Sequence, residues 1–203
     1  MPSWNVGAPP VVRMFADKGW EVVLVQRNER CEGNCSQKGA SYVTNMVEEV
    51  DKAKKAGYRR ILVAGQSFGA GTVLDAAGKS TDIDGVMAFA LSHGRNSCRD
   101  PKTFKPDMVP FHERMIKTGI KEARAPRILV SMGLGDHCVG MTFTPIVGQG
   151  LAEKNIAYIH FDESMRQGGH GAAVGREFAA MYGACVVAFF TRDEPPPPGR
   201  TVC

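Results

Sequence analysis

Five short, almost unbroken apolar runs rich in β-branched residues divide this 203-residue chain. They are EVVLVQ at Glu21–Gln26, RILVA at Arg60–Ala64, GVMAFAL at Gly85–Leu91, RILVS at Arg127–Ser131 and IAYIHF at Ile156–Phe161. None alternates apolar with polar residues, so none suits a strand with one face in water. Continuous runs suit parallel strands covered on both faces. Helical patterns lie between them. Over Ser41–Lys55, Val43, Met46, Val47 and Val50 fall at i, i+3, i+4 and i+7, with Ser41 as N-cap and Gly57 as terminator. Further helices are predicted at Val11–Lys18, Ala70–Gly78, Pro145–Lys154 and Arg176–Phe190. The last gathers Phe178, Met181, Tyr182, Cys185, Val186 and Phe189 on one face. Strands alternating with helices predict an α/β fold: a mostly parallel sheet of about five strands, right-handed crossovers and helices on both faces. The working edge of such a sheet is the one where the strands end.

Composition removes several alternatives. With 43% hydrophobic and 23% charged residues the chain is neither disordered nor fibrous. It is long enough for one domain with its own core, assigned here to residues 1–193. The uncharged stretch Phe178–Thr191 has 14 residues, short of the roughly 18 that span a bilayer. The net charge of +4 is scattered with no run of Lys and Arg longer than two, so no nucleic-acid partner is implied. Cys31 and Cys35 form the only close pair among six cysteines; without a second Cys/His pair they are a weak zinc signal, leaving a local disulfide, free thiols or two unrelated loop residues. No metal or organic cofactor is implied. The Pro-rich stretch 194–203 predicts an extended, poorly ordered tail. Residues 94–119 join the third and fourth runs and carry Phe104, Met108, Phe111, Met115 and Ile116. A long apolar connection of this kind predicts a lid or pocket segment.

The residues after each run carry the chemistry. After the second comes Gly65-Gln66-Ser67-Phe68-Gly69, a GxSxG pattern. Alone it is weak. Between a strand and a helix it has the context of a nucleophile elbow, where glycines let neighbouring backbones pass a strained serine and the helix N-terminus favours developing negative charge. No Gly-Lys-Ser/Thr follows, so no phosphate-binding P-loop is formed. After the fourth run, Asp136 lies in GLGDHCV; after the fifth, His170 lies in GGHG. The order Ser67, Asp136, His170 is that of one particular fold. Other candidates rank lower. His93 and Gln66 are positioned to line a pocket with Phe104, Met108 and Phe111. His112 belongs to the lid segment, His137 points away from its neighbour Asp136, and His160 reads as a core histidine. Asp162 is the runner-up acid, and Cys138 lacks an elbow.

On GQSFG, GLGDHCV and GGHG, over about Val11–Phe190, the chain resembles the α/β-hydrolase family and its small dienelactone-hydrolase-like and esterase-like members. The resemblance implies Ser67 as nucleophile, Asp136 as acid, His170 as base and the Phe68 N–H as one oxyanion donor. It implies a serine hydrolase acting on a small-molecule ester, lactone or thioester. A non-catalytic binding protein and a peptidase or acyltransferase on the same scaffold are the alternatives. The family's sheet has a further strand between those matched here by Glu21–Gln26 and Arg60–Ala64, and the loop after it supplies the second oxyanion donor. Met1–Pro10 is too short and too rich in Pro and Gly for that strand. Two explanations stand. A shortened N-terminus would leave Ser3-Trp4-Asn5 as the remnant of the oxyanion loop; a minimal variant would pair the first strand directly with the elbow strand. A missing central strand would leave an unpaired edge and invite association into a homo-oligomer. The chain as written carries no secretory signal. It reads as cytoplasmic as it stands, and as secreted or periplasmic if shortened.

Overall fold

A computed structural model describes residues 7–25, 38–91, 109–132, 136, 144–162 and 168–203. Five strands form one parallel sheet in chain order: β1 (Leu62–Gln66), β2 (Gly85–Phe89), β3 (Arg127–Ser131), β4 (Ala157–Phe161) and β5 (Gly199–Arg200). The helices are α1 (Pro10–Ala16), α2 (Lys38–Lys55), α3 (Phe68–Lys79), α4 (Val109–Glu122), α5 (Thr144–Glu153) and α6 (Arg176–Thr191), with a 3₁₀ turn at Ala172–Val174 before α6.

β2, β3 and β4 are buried along their whole length, which explains why their sequences do not alternate. Side chains still alternate between two apolar faces. Val86, Ala88, Ile128 and Val130 face a core completed by Val43 and Val50 of α2, Val73 and Leu74 of α3, Ile120 of α4 and Leu151 of α5. Met87, Phe89, Leu129 and Ile159 face the other, closed by Val11 and Phe15 of α1 and Phe178, Val186 and Phe190 of α6. Among the described residues no helix is long and apolar enough to cross a membrane.

Two arginines hold the end of α6. The last carbonyls of any helix lack intrahelical partners and carry partial negative charge. Arg127, only 2% exposed, donates from Nη1 to the carbonyls of Phe190 (2.8 Å) and Arg192 (2.7 Å), and from Nη2 to that of Asp193 (3.2 Å). Arg60 donates to Phe190 (2.5 Å) and Thr191 (3.0 Å) and lies over the Trp20 ring. Burial, and then the nearby Arg60 charge, push the Arg127 guanidinium below its ordinary pKa. Arg127→Ala strips the carbonyls of Arg192 and Asp193 of this charged donor and leaves that of Phe190 to Arg60. We expect it to lower the unfolding free energy by about 3 kcal/mol, read as a lower urea midpoint at unchanged slope.

Three expectations change. The run Glu21–Gln26 makes no strand over the described residues 21–25: Val23 and Leu24 are 65% and 57% exposed. At its start Trp20 packs against Phe15 and the Tyr58 hydroxyl donates to Glu21. β-branched composition makes a strand only where a ladder partner exists, and β1 pairs with β2 alone among the described residues. Direct pairing of the first run with the elbow strand is therefore not what is found.

The tail is ordered rather than loose, and it supplies the fifth strand. Gly199 and Thr201 donate to the carbonyls of Ile156 (2.9 Å) and Tyr158 (2.7 Å), and Cys203 is disulfide-bonded to Cys185 of α6. Two ladder bonds of about 1 kcal/mol each are too few to order a tail whose residues cost about 1–2 kcal/mol apiece. The disulfide, closing a separation of 18 residues, removes much of that cost from the unfolded chain. Cys31, Cys35, Cys98 and Cys138 lie outside the described residues. Finally, the stretch expected as a lid contributes residues 109–119 to α4. Ile116 of that stretch is buried in the core between helices, and residues 94–108 lie outside the described residues.

Candidate active site

The sheet register brings the candidate residues to one edge. Gln66, Phe89, Ser131 and Phe161 stand side by side as the last residues of β1 to β4. The segments carrying Ser67, Asp136 and His170 all leave from this row.

Ser67 lies directly between β1 and α3 at φ 59°, ψ −122°, a region that a non-glycine residue enters at a cost of about 1–3 kcal/mol. The turn is held by backbone bonds, Ser67 N–H to the Phe89 carbonyl (2.9 Å) and Ala70 N–H to the Ser67 carbonyl (3.0 Å). The Ser67 side chain does not cap α3, so its hydroxyl is not committed to the helix. Gly65 is required by close approach: a Cβ there would fall 2.2 Å from the Gly69 carbonyl oxygen and 2.9 Å from the Ala70 nitrogen. Gly69, expected to matter for the same reason, has open space where a Cβ would sit. Phe68 is the first residue of α3, so its N–H has no intrahelical acceptor and faces the turn with the positive end of the helix. Its ring meets Tyr42 edge-on at 5.6 Å.

Asp136, 3% exposed, lies beyond β3, and both its carboxylate oxygens reach His170 Nδ1, at 2.9 and 3.0 Å. A carboxylate can only accept, so His170 holds its proton on Nδ1 and turns the Nε2 lone pair away from Asp136. Nε2 is buried and makes no hydrogen bond, to Ser67 or to any other described residue. Gln66 donates from its side-chain amide to the His170 carbonyl at 3.0 Å, fastening the end of the elbow strand to the histidine loop. Asp162, the alternative acid, binds Arg200 at 2.8 Å. His93, His137, Cys138, Phe104 and Met108 lie outside the described residues, as do the side chains of Phe111 and His112.

His160 is a core histidine as its place in β4 suggested, yet its Nε2 is buried without a hydrogen-bond partner among the described residues. Burial pushes its pKa down to about 4; Asp162 opposes the shift and Arg200 adds to it. The unfolded chain therefore binds a proton on this histidine more readily than the folded one. Its contribution to stability is complete above about pH 6.5 and is lost as pH falls towards 4, about 3 kcal/mol in all. Asp75 on α3 runs the other way: burial raises its pKa to about 6, with Lys79 opposing and Glu122 adding. Its contribution is present below about pH 3.8 and is lost as pH rises through 6. We expect the difference in melting temperature between wild type and His160→Gln to shrink from pH 7 to pH 4, and Asp75→Asn to gain stability over wild type between pH 4 and pH 7.

The sheet, the strained serine at the end of β1 and a carboxylate–histidine pair at the ends of β3 and β4 define the α/β-hydrolase fold. Solved structures share it. An esterase from Pyrococcus furiosus superposes with a TM-score of 0.63 at 13% identity, covering 88% of this chain and 72% of the esterase. A Klebsiella pneumoniae protein assigned as a dienelactone hydrolase gives 0.55 at 17% identity, covering 76% of this chain and 62% of the other. A puromycin-hydrolyzing peptidase from Mycobacterium tuberculosis gives 0.57 at 16% identity over 80% of this chain but only 28% of the peptidase. No protein-family model and no curated protein matches the sequence.

Proposed function

We propose that this protein is a serine hydrolase of small carboxylic esters, lactones or thioesters, with Ser67 as nucleophile, His170 as base and Asp136 as the acid that orients it. The observation that carries this is the pairing of a buried carboxylate with His170 Nδ1, on segments that leave the same edge of the sheet as a serine held at positive φ. Further support comes from the hydrolases that share the fold.

In this mechanism the Ser67 oxygen attacks the acyl carbon while His170 Nε2 takes its proton. Asp136 keeps the imidazole in the tautomer that can accept there and stabilises the imidazolium. The Phe68 N–H donates to the oxygen that becomes negative, an interaction worth about 3 kcal/mol. Collapse expels the alcohol or thiol, which takes the proton from His170. Water then attacks the acyl-enzyme with His170 again as base, releasing the acid and restoring Ser67.

The missing bond between Ser67 and His170 Nε2 favours a second reading, a binding protein on the same scaffold. A fluorophosphonate separates the two, because only an activated serine displaces its fluoride. The hydrolase should be labelled stoichiometrically and Ser67→Ala not at all. Absence of labelling in folded wild-type protein would sink the catalytic reading. Parallel trials of p-nitrophenyl esters and peptides on a preparation shown to label would divide an esterase from a peptidase.

A further inference from the structure

We propose that Arg200 is a positioning residue for the segment that carries His170, and that the Cys185–Cys203 disulfide holds it there. The inference rests on His170 being the base. β4 is the last fixed strand before the chain leaves for the histidine loop. Arg200, opposite Tyr158 in the register, reaches along β4 to its end. There Nη2 donates to the His160 carbonyl and to the Asp162 carboxylate, both at 2.8 Å. The first contact fixes backbone and the second fixes the residue from which the segment departs. At its other end the segment is held by Gln66 on the His170 carbonyl and by Asp136 on the ring. Arg200 thus secures the near end of a stretch whose far end is the imidazole. It acts through Asp162 and His160 rather than on the reacting groups.

What places Arg200 is weak by itself. β5 has two exposed residues, and the prolines at 195–198 that precede it have no N–H to give to a ladder. The disulfide at the end of the tail and the two arginines at the end of α6 fix both ends of the short path between them. Reduction frees one end, and the guanidinium leaves with it. The site would then be most competent where disulfides persist.

The test uses the full chain and the rate of fluorophosphonate labelling of Ser67, beside melting temperature and amide exchange at Gly168–Gly175. Arg200→Ala, Cys203→Ser and reduced wild type should each label about tenfold to a hundredfold more slowly, as for a displaced catalytic group. Arg200→Lys, which keeps one bond to Asp162, should recover much of the rate. Arg200→Ala combined with Cys203→Ser should be no slower than Cys203→Ser alone. Labelling of Arg200→Ala and reduced protein at the wild-type rate would overturn the proposal and leave the hydrolase reading intact. If wild type does not label, the hydrolase reading fails first. Amide exchange in the histidine loop, faster or unchanged in Arg200→Ala, then upholds or rejects the mechanical link on its own.

Discussion

Asp136→Asn is expected to slow turnover and Ser67 labelling by about 10⁴-fold, the scale on which Ser-His-Asp sites depend on their carboxylate, while the protein stays folded. The reason is tautomeric rather than steric. Both Asp136 oxygens now lie within 3.0 Å of His170 Nδ1 and both can only accept. An asparagine of the same shape offers an NH₂ that can donate to Nδ1. The imidazole then carries its proton on Nε2, the nitrogen the mechanism needs as acceptor, and cannot take another. The buried position makes the effect large, because a charge lost from a group only 3% exposed is poorly compensated by bulk solvent. A Tm within a few degrees of wild type, together with the lost rate, would separate this from unfolding. Retained labelling would remove Asp136 from the mechanism.

Gly65→Ala should damage both the fold and the site. The added Cβ meets the Gly69 carbonyl carbon at 2.4 Å and its oxygen at 2.2 Å. These are backbone atoms of the first turn of α3, which cannot swing aside as a side-chain tip would. Relief requires β1 and α3 to separate across the turn that holds Ser67 at φ 59°. A loss of about 3 kcal/mol or more is expected by analogy with overpacked cores, with labelling abolished even in the folded fraction. Gly69→Ala is the control: nothing lies within 4 Å of its Cβ, so its stability should change little. Equal denaturation midpoints for the two variants would show that the close approach at Gly65 is not what shapes the turn.

Much of the architecture is legible without the structure. Arg127–Ser131 is read to the residue, and β1, β2 and β4 to within two residues, because strands covered on both faces read as near-continuous apolar runs. The helices other than α4 follow for the complementary reason, since each covers the sheet with one stripe. Ser67 is legible because its turn needs a glycine two residues before it and a helix directly after it. Asp136 and His170 are legible as glycine-flanked polar residues following apolar runs, although their pairing is a matter of distance and not of pattern.

Three features depend on what lies beside each segment in space. EVVLVQ has the composition of a strand and makes none over its described residues, because hydrogen bonding in a sheet belongs to pairs and no described strand pairs with it. The tail has the composition of a loose end and becomes a strand, because Cys203 meets Cys185 and two arginines beside the sheet hold the helix terminus it leaves from. Gln66 and Arg200 bond to the two ends of the histidine segment, contacts that no pattern in the sequence announces. Sequence by itself determined β1 to β4, the helices other than α4 and the serine turn, since these follow from local pattern and from the burial that their apolar residues demand. Tertiary structure alone decided which carboxylate meets which imidazole, which cysteines of the described residues join and which strands pair, since each is a contact between residues that the chain brings together only when folded.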